Sequence, residues 1–308
     1  MELFTRSRHN PLLTAADWPY PVNTVLNPAA AQVGDDTVLL CRVEDRRGIS
    51  HLTVARSADG QTGWRVDPRP LIGPDTDGSR WGVEDPRLTR VDDLDGWLVT
   101  YTAYGPQGPS VALARTDDFR SVEQFGVIMP PADKNGALLP QRIDGQYVLL
   151  HRPMPPGSGR AEIWLSRSPD LRAWNTPQRV LAARPGAWWD NVRIGVGPPP
   201  LWTPQGWLML YHGIKRMAGG SVYRMGAALL DLRTPERVLR RGDEWLLGPA
   251  TPYERVGDAP NVVFPTGLLY DEGQDRLRVY YGAADTCVAL ATASYPQLLS
   301  YLLACPAP

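Results

Sequence analysis

Five stretches of this 308-residue chain repeat one another: DDTVLLCR (35–42), DGWLVTYT (95–102), DGQYVLLHR (144–152), QGWLMLYH (205–212) and DRLRVYYG (275–282). Each opens on a turn containing Asp or Gly, runs through a short apolar strand and ends on polar residues. Their ends, at Arg42, Thr102, Arg152, His212 and Gly282, are separated by steps of 60, 50, 60 and 70 residues. Self-similarity at a near-constant period marks a repeat architecture. A second strand-like segment follows each stretch: HLTVARSADG (51–60), SVALARTDDF (110–119), EIWLSRSPDL (162–171), MGAALLDLRT (225–234) and CVALATASYP (287–296). They end in Asp- or Pro-containing turns, as hairpins do. Thr53-Val54-Ala55-Arg56 and Ile163-Trp164-Leu165-Ser166 alternate with the period of two that a strand requires. Trp64 and Trp174 stand at matching places after two of the turns.

Five units of this length, each with two visible strands and room for four, predict an all-β chain folded as a five-bladed β-propeller. A pair of β-sandwiches would not produce a five-fold period. Only the tail, Tyr295 to Ala304, reads as a short helix. No linker or low-complexity stretch interrupts the chain, so residues 1–308 read as one domain.

Composition narrows the function. The chain is 43% hydrophobic with a net charge of -1, which supports a core and offers no field for nucleic acid or an anionic membrane. Its 29 Gly and 31 Pro are spread along the chain, as many turns would require. The 11 Trp and 12 Tyr outnumber the 4 Phe. Aromatics with a polar handle suit half-wet surfaces such as sugar-binding ones, or they simply fill β-structure. Cys41, Cys287 and Cys305 have no ligand-like spacing and read as reduced thiols of a cytoplasmic protein. The N-terminal MELFTRSRHNPLLT has no apolar signal core, and no run reaches the ~20 apolar residues of a membrane span. Any glycan substrate is therefore expected to be small enough to be imported.

In a propeller, equivalent strand ends converge around a central channel. That brings together Arg42 and Glu44, Tyr101 and Tyr104, His151 and Arg152, Tyr211 and His212, and Asp285. Three polar motifs add to them. GVEDPRLT (82–89) carries Glu84 and Asp85 before Pro86, which disfavours helical geometry at Asp85 and predicts an extended conformation there. Alone, the motif could be a turn with a surface ion pair; in a converging site, Asp85 is a stiffly held carboxyl group suited to acid catalysis. DKNGALLP (133–140) supplies Lys134. WWDNVRIGVGPPP (188–200) reads as a rigid loop presenting Asp190 and Arg193, or as a Pro-rich connection with structural Trp.

Lys134, Arg152, Arg193 and His212 are too many cations for a neutral sugar alone; their desolvation calls for a bound oxyanion. Inverting glycoside hydrolysis needs an acid and a base. If phosphate is the attacking group, one acid and a cation cluster suffice. The four His have no metal-ligand spacing, and no phosphate-binding Gly loop, dinucleotide fingerprint or nucleophile elbow occurs. No metal or organic cofactor is expected, only inorganic phosphate as co-substrate.

GVEDPRLT, YTAY, DKNGALLP, LLHRP, WWDNVRIGVGPPP, LYHG, YRMGAALLDL, PNVVFPTG and YYGAADT, in this order, resemble glycoside hydrolase family 130, the β-mannoside phosphorylases and related β-mannosidases. The resemblance runs from about Asn10 to Ala293. It implies a five-bladed propeller and the general acid at Asp85, acting through the mannose 3-hydroxyl. It also implies phosphate contacts at Lys134, Asn135, Arg152, Arg193 and His212, and substrate contacts at Asn27, Arg42 and Asp285. Arg193 stands where many members have Lys. Hydrolytic members lack the phosphate-binding cations, and this chain keeps all four. The expectation is inverting phosphorolysis of a β-mannoside. The alternatives are an inverting β-mannosidase acting on β-1,2-mannosides, with Glu44, Glu84 or Asp190 as base, and a glycan-binding propeller without catalysis. Segments Arg69–Arg80 and Lys215–Val222 are expected to shape the acceptor side. Linkage, aglycone and self-association are not legible at this level.

Overall fold

A computed structural model of the protein describes residues 3–74, 78–154 and 161–307. Five antiparallel sheets follow one another along the chain, which is the expected five-bladed propeller. Blade one is built from Thr24–Val33, Asp36–Glu44, Ser50–Ser57 and Arg65–Val66, and blade two from Gly82–Thr89, Trp97–Gly105, Gly108–Thr116 and Glu123–Met129. Blade three comprises Asp133–Leu138, Tyr147–Pro153, Ile163–Ser168 and Asn175–Leu181. Blade four runs from Arg193–Val196 through Gly206–Met217 and Gly220–Leu230 to Val238–Arg241, with Leu201–Thr203 also paired to its second strand. Blade five contains Val263–Asp271, Arg276–Ala283 and Cys287–Ser294, and its outermost strand is Thr5–Arg6 from the start of the chain. The ring is thus closed by pairing Thr5 and Arg6 with Thr292 and Ala291.

The repeated apolar segments are the second strand of every blade, and period-two alternation explains their composition. Val38 and Leu40 enter a cluster between blades one and two, whereas Leu39 and Cys41 enter the cluster between blades five and one. In blade two, Val99 and Tyr101 face blade one while Leu98 faces blade three. Both faces are buried, so both parities are apolar. The core is accordingly five wedges, one at each blade junction, rather than one central mass. Tyr295–Ala304 is the expected C-terminal helix, capped by Ser294 and burying Leu298, Leu299 and Leu302. No helix among the described residues is long and apolar enough to cross a membrane.

The innermost strands are the polar motifs themselves. GVEDPRLT is a complete strand, not a turn before one, and RIGV of the Trp- and Pro-rich segment is the inner strand of blade four. The segment expected as an acceptor loop at Lys215–Val222 is the end of a long hairpin whose strands pair through Met217 and Gly220. Within Arg69–Arg80, residues 75–77 lie outside the described residues.

Candidate active site

Three inner strands break register at equivalent places: between Leu26 and Ala29, between Glu84 and Arg87, and between Lys134 and Ala137. At each slip one residue has left-handed backbone: Asn27 at φ 45, Asp85 at φ 48 and Asn135 at φ 57. Bulges of this kind re-aim a side chain. Asn and Asp are the non-glycine residues that best tolerate the left-handed region. The extended conformation predicted for Asp85 from Pro86 is therefore corrected. The bulge, secured by contacts from blade one, overrides the preference of a pre-proline residue, at a cost on the order of 1–3 kcal/mol.

The re-aimed side chains meet in a cavity of about 190 Å³ at the centre of the ring. Eight residues anticipated from the sequence line it: Asn27, Arg42, Asp85, Lys134, Asn135, Arg152, Arg193 and Asp285. Asp85 is at the middle of an ionic chain. Its Oδ1 accepts from Asn27 Nδ2 at 2.7 Å and from Arg42 Nη1 at 3.2 Å. Arg42 Nη2 also reaches Glu44 at 3.2 Å and Glu84 at 3.3 Å, and Glu84 Oε2 accepts from Lys134 Nζ at 2.8 Å. Burial alone would raise the Asp85 carboxyl, but Arg42, Arg87, Lys134 and the Asn27 hydrogen bond together bring it down to about 2. Asp285 moves the other way, up to about 6, through burial first and repulsion by Asp85 second. Two carboxyl groups of one cavity are thus separated by their surroundings, the pattern of a proton-handling site.

Arg152 and Arg193 add two further cations to the lining. Arg152 is 7% exposed, while Arg193 stands exposed at the mouth. Burial, with Arg193 nearby, lowers Arg152 to about 10, so it stays protonated at neutral pH. His212 is not a fourth cation. It is fully buried, and burial followed by the charges of Arg152 and Arg87 holds its pKa well below the usual histidine range. Arg152 Nη1 lies 3.2 Å from His212 Nε2. A guanidinium only donates, so Nε2 accepts and Nδ1 carries the ring proton. His212 thus stands behind the cavity and orients Arg152. Asn27 Oδ1, Asn135 Oδ1 and Arg152 Nε are buried with no hydrogen-bond partner among the described residues. Such groups in a polar cavity are ready for a ligand's donors and acceptors.

Five residues expected at the site, Tyr101, Tyr104, His151, Asp190 and Tyr211, fall elsewhere. Tyr101 is 5% exposed in the wedge between blades one and two, because strand parity places it with Val99. Asp190 is fully buried against Arg241 at 2.8 Å, Tyr211 at 3.0 Å and Arg184 at 3.3 Å. Neither reaches the cavity. Tyr211 packs in the wedge between blades three and four. Tyr104 is outside the cavity wall, its ring 5.9 Å from Lys134 Nζ and 5.4 Å from the Trp81 ring. His151 is buried behind the wall, between Asp133 Oδ2 at 2.6 Å and Ser166 Oγ at 2.9 Å.

The sequence reading missed Tyr223, Phe264, Ile214, Val262 and Ala259, which complete the cavity wall. Phe264 sits 4.4 Å from the His212 ring, and the Tyr223 ring lies 6.3 Å from it. Apolar residues in strands carry no mark of their own. Phe264 and Tyr223 could have been found only through the parity of the strands that carry PNVVFPTG and YRMGAALLDL. Arg87, two residues after Asp85, does more than sit beside its charge. It is 0% exposed and donates from Nε to Gly197 O and from Nη1 to Asp85 O, both at 2.6 Å. It thereby bolts blade two to the chain just beyond the inner strand of blade four.

Fold and site together define a five-bladed propeller whose central cavity brings the carboxyl groups of Asp85 and Asp285 together with the cations Arg42, Lys134, Arg152 and Arg193. The sequence pattern of glycoside hydrolase family 130, described as β-1,4-mannooligosaccharide phosphorylase, matches residues 8–303. The chain belongs to this family. It is 38% identical over 254 residues to a β-1,2-mannobiose phosphorylase of Listeria innocua, covering 82% of this chain and 69% of that protein. It is 35% identical over 268 residues to a β-1,4-mannooligosaccharide phosphorylase of Ruminococcus albus, covering 85% and 78% respectively. Among solved structures, the Listeria innocua β-1,2-mannobiose phosphorylase in complex with β-1,2-mannobiose superposes with a TM-score of 0.90 at 30% identity, covering 97% of this chain and 99% of that one.

Proposed function

We propose that this protein is an inverting β-mannoside phosphorylase that converts a β-mannoside and inorganic phosphate into α-mannose 1-phosphate and the released aglycone. Family membership and two relatives named as mannoside phosphorylases support the substrate class. The observation that carries the reading is the joint placement of Lys134, Arg152 and Arg193 with Asp85 in one cavity. Phosphate held by these cations is already a nucleophile and needs no base. It attacks the anomeric carbon on the face opposite the leaving oxygen, the new C–O bond forms as the glycosidic bond breaks, and configuration inverts.

Asp85 gives the proton that the leaving oxygen requires, through the mannose 3-hydroxyl as the family resemblance implies. Asn27 and Arg42 hold the Asp85 carboxyl, and Asp285 contacts the sugar. Asn135 and His212 assist the anion, the latter through Arg152. The volume of about 190 Å³ suits one sugar ring at the reacting position, with the rest of the substrate outside.

Hydrolysis is the weaker reading. Of the carboxylates that could serve as its base, Asp190 is buried away from the cavity, and Glu84 is engaged by both Lys134 and Arg42. The test is turnover of β-1,2-, β-1,3- and β-1,4-mannobiose with and without inorganic phosphate, following mannose 1-phosphate and free mannose. Phosphate-dependent formation of mannose 1-phosphate is expected. Free mannose formed equally well without phosphate would overturn the reading.

A further inference from the structure

One basic group of the anion subsite is already occupied. Lys134 Nζ is 2.8 Å from Glu84 Oε2, and this contact is half-sheltered: the two side chains are 25% and 10% exposed. Glu84 is also 3.3 Å from Arg42 Nη2, while the other terminal nitrogen of the same guanidinium is 3.2 Å from Asp85 Oδ1. A single arginine is therefore divided between Glu84 and Asp85, and Glu84 between Arg42 and Lys134. Sequence adjacency does not produce this arrangement by itself. The left-handed turn at Asp85 puts neighbours Glu84 and Asp85 on the same guanidinium.

We propose that Glu84 is a positioning residue that couples the anion subsite to the acid: phosphate takes Lys134 from Glu84, and Glu84, left with Arg42 alone, draws that guanidinium off Asp85. The inference rests on the phosphorylase reading and deepens it. It explains how an acid can be loaded in a cavity that strips protons from it. Arg42 from blade one, Arg87 from the same strand and Lys134 from blade three all favour the ionised carboxylate. Burial opposes them and is outweighed by their sum; Asp285 from blade five has its own carboxyl pushed up to about 6, and burial holds His212 from blade four well below the usual histidine range. A bound phosphate neutralises Lys134, Arg152 and Arg193 and adds negative charge beside Asp85. Transfer of Arg42 towards Glu84 and Glu44 completes the change, and Asp85 takes up a proton from water. The loaded acid then exists only when the nucleophile is in place.

The decisive variant is Glu84→Gln, which keeps shape and removes charge. Lys134 then has no competing carboxylate, so the phosphate KM should fall by about tenfold. Arg42 is at the same time left to Asp85, so kcat should fall by about tenfold and the alkaline limb of its pH profile should move to lower pH. The mannoside KM should stay within about twofold. These opposed changes are not what a structural role would give. An unchanged or raised phosphate KM with the alkaline limb in place would overturn the proposal. A second measurement uses the unaltered protein: a structure with phosphate bound should show Lys134 Nζ on a phosphate oxygen and more than about 4 Å from Glu84. Lys134 still on Glu84 with phosphate bound would also overturn it. Mannoside turnover without any phosphate dependence would instead remove the phosphorylase reading on which the inference stands.

Discussion

Asn27 and Asp85 share a 2.7 Å hydrogen bond across the blade one–blade two junction, and both have left-handed backbone, at φ 45 and φ 48. Each sits in a register slip of its inner strand and precedes a proline. Asn135, at φ 57 before Gly136, repeats the device in blade three. The propeller thus uses one local solution three times to turn a short polar side chain from the sheet into the channel. An inner strand with unbroken alternation would instead send that position into a blade junction.

Asp85→Asn tests the chemistry without disturbing this geometry. Asn tolerates the left-handed region as well as Asp does, so the variant should fold and keep its melting temperature within a few degrees. Turnover should fall by at least ~10²–10⁴-fold, the usual contribution of a general acid. Steady-state rates and thermal unfolding on the same preparation check both halves. Retained turnover would remove Asp85 from the proton-donating role.

Gly195 and Gly282 should tolerate no side chain. A Cβ at Gly195 would stand 2.8 Å from Asn135 Oδ1 and 2.7 Å from His212 Nε2. At Gly282 it would run into the Asn27 side chain and stand 2.8 Å from the Asn27 backbone nitrogen. Gly195→Ala is expected to push His212 off Arg152 and raise the phosphate KM by about tenfold or more, with a smaller effect on the mannoside KM. Gly282→Ala is expected to displace Asn27 from Asp85 and reduce kcat. Initial rates over both substrates separate the two patterns.

Legibility followed chemistry more than geometry. The five-fold repeat was visible because the second strands are buried on both faces, which makes them apolar at every position; Val38 to Cys41 show it. Their prominence also misled. They look like the centre of each blade, yet the channel is lined by the polar strands before them. Charged residues such as Lys134, Arg152 and Arg193 were found because charge in a converging site is rare. Tyr101 and Asp190 were misplaced because one step in strand parity, or one inward turn of a loop, decides between cavity and core. Phe264 and Tyr223 were missed because an aromatic residue in a strand looks the same whether it faces a ligand or a neighbouring blade. No sequence rule foresaw the left-handed turn at Asp85, since the residue after it argues for the opposite.

Glu254, which is fully buried, lies where the ring closes. It accepts from Arg6 Nε at 2.8 Å, Arg6 Nη2 at 3.0 Å, Tyr281 Oη at 2.9 Å and the Ala250 and Thr251 amides at 2.7 and 3.0 Å. Arg6 lies in the strand that completes blade five. Arg6→Ala leaves a buried carboxylate without its cation and should cost ~3–5 kcal/mol. Denaturant unfolding should show the loss, and proteolysis should begin at the amino terminus. A change below ~1 kcal/mol would mean that backbone pairing and the amides suffice.

Asp285 should leave a signature in the pH dependence of stability. Its carboxyl lies at about 6 in the folded protein against an ordinary 3.8. The folded state therefore binds this proton more tightly than the unfolded chain does. The sign follows directly: stability is fully present below about pH 4 and is lost as pH rises through about 6. The span corresponds to at most ~3 kcal/mol. Asp285→Asn removes the titration, so the variant should gain stability relative to the unaltered protein as pH goes from 4 to 7, by up to that amount. Unfolding free energies of the two proteins across this range measure the difference, in which the other titrating groups largely cancel. A flat difference would mean that the cavity does not hold Asp285 against ionisation, and that Asp85 and Asp285 are less strongly opposed than their placement in one small cavity implies.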